Sequence, residues 1–156
     1  MSQISRHFFS EEFIPEEIHN YITNNGYDPR WYCSEDLVGF LEWVKDQCNG
    51  AKITLNTYKW FGVRNWSGLR VWLKRLSWDK FKYGDGLSQH RFINAVDFIV
   101  DGYNPKQIEG LIRTHYKYVR ETFSITTIEN TDITTNWNHV DTRWTGLDYL
   151  FVVNPS

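Results

Sequence analysis

The stretch "GLSQHRFINAVDFIVDG", residues 86–102, decides the fold. Its second half alternates cleanly: Ala95, Asp97 and Ile99 face one way, Val96, Phe98 and Val100 the other, as a core strand requires. Its first half places Ser88 and His90 just ahead of that strand. Asp97 interrupts an otherwise apolar run, and a carboxylate is costly to bury unless a cation or hydrogen bonds compensate it. His90 and Asp97 stand seven apart, so a single straight strand would point them to opposite faces. The chain must turn between them.

Working outward, "SEDLVGFLEWVKDQCNG" reads as a helix. Ser34 can cap it, Leu37, Phe40, Leu41, Val44 and Cys48 recur at helical spacing, and Gly50 can end it. "KITLNTYKW" alternates like a strand, and "NPKQIEGLIRTHYKYVRETF" starts a helix with Asn104 as cap and Pro105 at its first position. Ile108, Leu111, Ile112, His115, Val119 and Phe123 line one side of that helix, which makes His115 a packed core or boundary residue. "SITTIEN", "NWNHVDTRW" and "DYLFVVN" give three short strands. Residues 1–33 read as an irregular lead-in with one short helix near Pro15, and the segment between Phe61 and Gly86 as a loop with a short helix. Helices early and strands late make the class α+β with a mostly antiparallel sheet.

The chain has 156 residues, enough for one domain with a sizeable core. Its 17 basic and 19 acidic residues are interspersed, which leaves no electrostatic footprint for nucleic acid. No run of about 18 apolar residues and no apolar leader occurs, so a soluble product with no membrane role is expected. Cys33 and Cys48 do not form a metal-type pair, and a buried free thiol is the expected state. The eight tryptophans are scattered and expected mainly in the core.

Two of the five histidines have carboxylates close by in strand-like sequence: His90 with Asp97, and His139 with Asp141. In "WNHVD", Trp137, His139 and Asp141 share a face and Val140 turns away. Such a face is either exposed to water or lines a site. Two neutral imidazoles and one carboxylate make a catalytic zinc set with a fourth position for water, and His90, Asp97 and His139 supply it. The alternative places Asp97 at a strand edge and both histidines on the surface.

"SQHRFINAVD" resembles the zinc-binding segment Ser-x-His-x-x-Gly-x-Ala-x-Asp of the D-alanyl-D-alanine carboxypeptidase and L-alanyl-D-glutamate endopeptidase family, through Ser88, His90, Ala95 and Asp97. Trp137, His139 and Asp141 match the second segment, Trp-x-His-x-Asp, of many phage members, and "ITLNTYKW" and "WSGLR" are similar to their upstream strand and loop. The resemblance covers about residues 50–145 and implies a hedgehog/DD-peptidase fold, a peptidase-like domain over 34–156, and zinc held by His90, Asp97 and His139. It implies hydrolysis of peptidoglycan stem peptides by a phage-type enzyme, in the host cytoplasm before lysis or associated with a virion. A non-catalytic virion or wall-binding protein that keeps the fold, with other virion proteins as partners, is the alternative.

Two positions depart from the family pattern. Ile93 stands where the family places Gly, which implies a different backbone or extra packing in the turn after His90. Asn136 stands at the usual general-base position, and an amide cannot take a proton from water, so Asp141, Asp132 or Glu129 would have to substitute. Lys59, Arg64, Arg70 and Arg143 are candidates to hold a substrate carboxylate, Arg70 and Arg143 foremost because they flank the motifs. Ser88 is expected to orient the turn or a ligand.

Overall fold

The computed structural model describes residues 1–64, 67–68 and 88–155. Among these, five strands form one mixed sheet in the order β1-β2-β4-β3-β5: β1 (Ile53–Thr54), β2 (Ala95–Val100), β3 (Thr127–Glu129), β4 (Asn138–Asp141) and β5 (Phe151–Val153). The β1–β2, β2–β4 and β3–β4 pairings are antiparallel, and β3–β5 is parallel. The class is α+β.

The alternation of β2 is realised as the sequence requires. Val96, Phe98 and Val100 enter the apolar core with Val140 and Ile128 from the neighbouring strands. Helix α3 (Glu35–Gln47) packs over this face, with Phe40 edge-on to Phe98 at 6.0 Å between ring centroids. Ser34 Oγ accepts the Leu37 N–H and caps α3, and Leu37, Phe40, Leu41, Val44 and Cys48 are all buried.

Several expectations need correction. Residues 1–33 form two helices, α1 (Ser10–Phe13) and α2 (Glu16–Asn24), and a tight helical turn over Pro29–Tyr32. Phe8, Phe13, Ile14 and Ile22 belong to the same core as the sheet, so this segment is part of the fold. The strand read in "KITLNTYKW" stops after Thr54, because the backbone of Ser67 takes the place beside Asp97: the Asp97 N–H donates to the Ser67 carbonyl at 2.6 Å.

The long helix after Asn104 is two, α4 (Pro105–Thr114) and α5 (Tyr116–Phe123). His115 leaves helical geometry at φ −111°, ψ 20°, with its ring Nδ1 against the Leu111 carbonyl. It is exposed and meets Trp43 edge-on rather than entering the core. None of the described tryptophans is fully buried; Trp31, Trp60 and Trp144 are exposed. Most of the loop between Phe61 and Gly86, with Arg70, lies outside the described residues.

The turn ahead of β2 is a short helical turn over Gln89–Phe92 that ends on Ile93. Ile93 has φ 62°, ψ 21°, a left-handed conformation that glycine adopts most readily and a β-branched residue rarely does. The Ile93 side chain packs partly against the core. This left-handed step lets His90 and Asp97 meet despite their odd spacing.

Candidate metal centre

The face of β2 and β4 opposite the core carries the polar set. Asp97 stands directly across the ladder from His139, and Ala95 from Asp141. His90 reaches the same place from the turn. All four polar side chains are buried: His90 2%, Asp97 7%, His139 7% and Asp141 0% exposed, which overturns the surface alternative.

Three atoms converge. His139 Nδ1 lies 2.8 Å and His90 Nε2 3.2 Å from Asp97 Oδ1, and the two imidazole rings are 5.0 Å apart. One ligand atom from each residue falls within 4.8 Å of the others, so the group can hold a metal ion. Zinc–ligand bonds of about 2 Å put neighbouring ligand atoms roughly 3.3 Å apart in a tetrahedral site, and the two nitrogen-to-carboxylate distances, 2.8 and 3.2 Å, are close to that.

The outer nitrogens fix how the rings present themselves. His90 Nδ1 lies 2.8 Å from the Gly68 carbonyl, which can only accept, so Nδ1 carries a proton and Nε2 points inward. His139 Nε2 lies 3.2 Å from Asp141 Oδ2. Burial works against ionising Asp141, but hydrogen bonds from His139 and Arg143 outweigh it and hold the carboxyl down to about 2. It is therefore an acceptor, His139 Nε2 carries the proton, and Nδ1 points inward. Both rings thus turn the nitrogen needed for a metal toward Asp97, with partners of the kind that orient metal-bound imidazoles.

Asp97 itself is held below the ordinary carboxylate range: burial would raise it, but its contacts with His139 and His90 prevail. For His139, burial pushes the imidazole down while Asp141 and Asp97 pull it up to about 9. Without a metal, the His139 ring keeps a second proton on Nδ1 and donates it to Asp97. A metal ion would take that proton's place.

Gly68 is fixed by close approach: a Cβ there would collide with the Phe13 carbonyl oxygen. Asn56 Oδ1 accepts the Ser67 N–H at 2.8 Å, and Arg64 Nε donates to Ser67 Oγ at 2.7 Å. The Ser67–Gly68 segment in turn holds Asp97 and His90 through its carbonyls. The sequence reading missed these supports, because nothing in "WSGL" says which backbone carbonyls will meet a histidine across the fold.

The remaining expected site residues are placed as follows. Arg143 grips Asp141, with Nε 2.8 Å from Oδ1, and is half-buried. Asp132 is exposed and pairs with Lys106. Asn136 is exposed on the segment leading into β4. Ser88 is half-buried, and its carbonyl accepts the Arg91 N–H of the turn. Glu129, on β3, continues the β3–β4 register opposite His139, and its charge raises the affinity of His139 for a proton. Its Oε2 accepts the Thr134 hydroxyl at 2.9 Å.

Comparison of the chain with protein-family models, with curated proteins and with solved structures gave no match.

Proposed function

We propose that the chain is a zinc metallopeptidase of the hedgehog/DD-peptidase type that hydrolyses peptidoglycan stem peptides, with His90, Asp97 and His139 as the ligands. One observation carries the reading: two buried imidazoles, each with its outer nitrogen committed to an acceptor, turn their inner nitrogens onto one carboxylate oxygen. The motif resemblance supplies the substrate class and the phage-type setting.

Zinc bound there would polarise the scissile carbonyl and lower the pKa of its water. His90 is held for this task by the Gly68 carbonyl, and His139 by Asp141, which Arg143 keeps ionised. In this reading Arg143 positions a ligand instead of binding a substrate carboxylate. Proton transfer falls to Glu129, which follows in the β3 register opposite His139 and whose Oε2 meets only the Thr134 hydroxyl among the described residues, while Asp141 and Asp132 are ion-paired with Arg143 and Lys106.

Asn136 favours a second reading, a virion or wall-binding module that keeps zinc and has lost catalysis, because an exposed amide stands where the family carries its base. Metal analysis of the purified chain, paired with mass spectrometry of a digest of purified peptidoglycan, separates the two. One zinc per chain with released stem-peptide fragments supports the enzyme, and zinc without fragments supports the module. Failure to retain any divalent metal after loading rules out both.

A further inference from the structure

We propose that the cleft between the N-terminal arm and the outer edge of β1 is a binding site for an extended acidic peptide, taken up as an added strand. The cleft has a volume of about 380 Å³ and is walled by Phe9, Lys45, Lys52, Ile53, Asn56 and Trp60, among others. It is separate from the three converging ligand atoms, and the proposal stands whether or not the chain hydrolyses anything.

The backbone phase of β1 carries the first step. The Asp101 N–H donates to the Lys52 carbonyl at 2.9 Å, and Ile53 pairs with Val100, Thr54 with Ile99. In an antiparallel ladder this makes Lys52 and Thr54 the residues whose N–H and C=O turn toward β2. Ile53 therefore turns its N–H and C=O outward, into the cleft, while its side chain stays in the core. β1 is the terminal strand of the sheet, and among the described residues no strand pairs with that edge. An edge of this kind is a template for a further strand.

The second step is an unmet donor. Asn56 is 1% exposed and lines the cleft, and its Oδ1 is bound to the Ser67 N–H while its Nδ2 has no partner among the described residues. A buried amide without an acceptor is expensive, and a peptide carbonyl arriving beyond Ile53 supplies one.

Charge selects the occupant. Lys45 and Lys52 stand on the wall. His7, also on the wall, is paired with Glu42, and Glu12, its carboxylate, accepts the Phe9 N–H. Among the described residues Lys52 has no ion-pair partner and is exposed, so a carboxylate side chain on the added strand would complete it. Trp60, half exposed at the rim, offers a flat apolar surface for a neighbouring side chain.

The test uses the 156-residue chain, metal-free and labelled with nitrogen-15, and three capped pentapeptides. One alternates valine with aspartate, one alternates valine with lysine, and one repeats the aspartate sequence with alternate amides N-methylated. The aspartate peptide is expected to shift the Ile53 amide and the Asn56 side-chain NH₂ resonances in a saturable way. The lysine peptide and Lys52→Glu with the aspartate peptide should each bind about fivefold or more weakly, as loss or reversal of one partly exposed charge pair implies. The N-methylated peptide should not bind, because it lacks the strand's donors. Absence of saturable shifts at these two residues, equal binding of the lysine peptide, or full binding of the N-methylated peptide would overturn the proposal.

Discussion

Asp97 and His139 face each other directly across the β2–β4 ladder, and their side chains meet at 2.8 Å between Oδ1 and Nδ1. The pairing of two adjacent strands therefore sets the position of two candidate ligand atoms, and of the three only that of His90 is brought from outside the sheet. A site built on strand pairing is rigid at its base, which is where a metal centre needs precision.

The carboxylate behind His139 should matter almost as much as the ligands. Asp141→Asn keeps the shape but removes the charge that holds His139 Nε2–H and pairs with Arg143. Zinc affinity, measured by competition with a chromophoric chelator, is expected to fall about 10–100-fold, the usual cost of losing such a partner. An unchanged affinity would show that His139 is oriented by something else.

Asn136 and Glu129 give opposite expectations for hydrolysis. If Glu129 accepts the proton, Glu129→Gln lowers the rate of stem-peptide release by about 10²–10⁴-fold, the usual share of general-base help, with zinc content unchanged. Asn136→Asp should restore part of that loss in the double variant. Equal rates for the parent and Glu129→Gln would remove Glu129 from the reaction.

Ile93 makes a prediction about stability alone. At φ 62° a side chain with a Cβ is strained and glycine is not. Glycine normally destabilises relative to alanine, but here Ile93→Gly should be more stable than Ile93→Ala by about 1 kcal/mol, measured by urea denaturation. The reverse order would mean that the turn relaxes out of the left-handed region when the Ile93 side chain is removed.

Glu12 makes the fold sensitive to pH. Burial, with the nearby charges of Glu11 and Glu42, outweighs the Phe9 N–H and Lys45 and raises its carboxyl from the ordinary 4.5 to about 7. Between those values the folded chain binds more protons than the unfolded one, so this contribution to stability is complete below the lower value and is lost as pH rises through the upper. Glu12→Gln keeps an acceptor for the Phe9 N–H and should flatten the fall in melting temperature between about pH 5 and 8. A fall of the same size in the variant would assign it to another group.

Much of this was legible in the sequence, for particular reasons. The faces of β2 and β4 follow from a period of two, and a lone aspartate in an apolar strand announces that something compensates it. Helix α3 is marked by its serine cap and apolar stripe. What stayed hidden depends on contacts between distant segments. The break at His115 lies in an unbroken helical pattern, and the short β1 reflects a competing backbone, that of Ser67, eleven residues beyond Asn56. Ile93 was visible as an anomaly, but sequence alone did not say whether the backbone or the side chain gives way. The backbone stays left-handed, and the isoleucine bears the strain.

The contact between the Phe13 carbonyl and Gly68 has a bearing on how the protein can be cut and recombined. Gly68 orients His90, and the wall that Gly68 leans on belongs to α1, within the first 33 residues. A cassette of residues 34–156 grafted onto another scaffold would carry His90, Asp97 and His139 and still lack the surface that shapes the setting of His90. The unit that can be moved from one protein to another therefore includes α1.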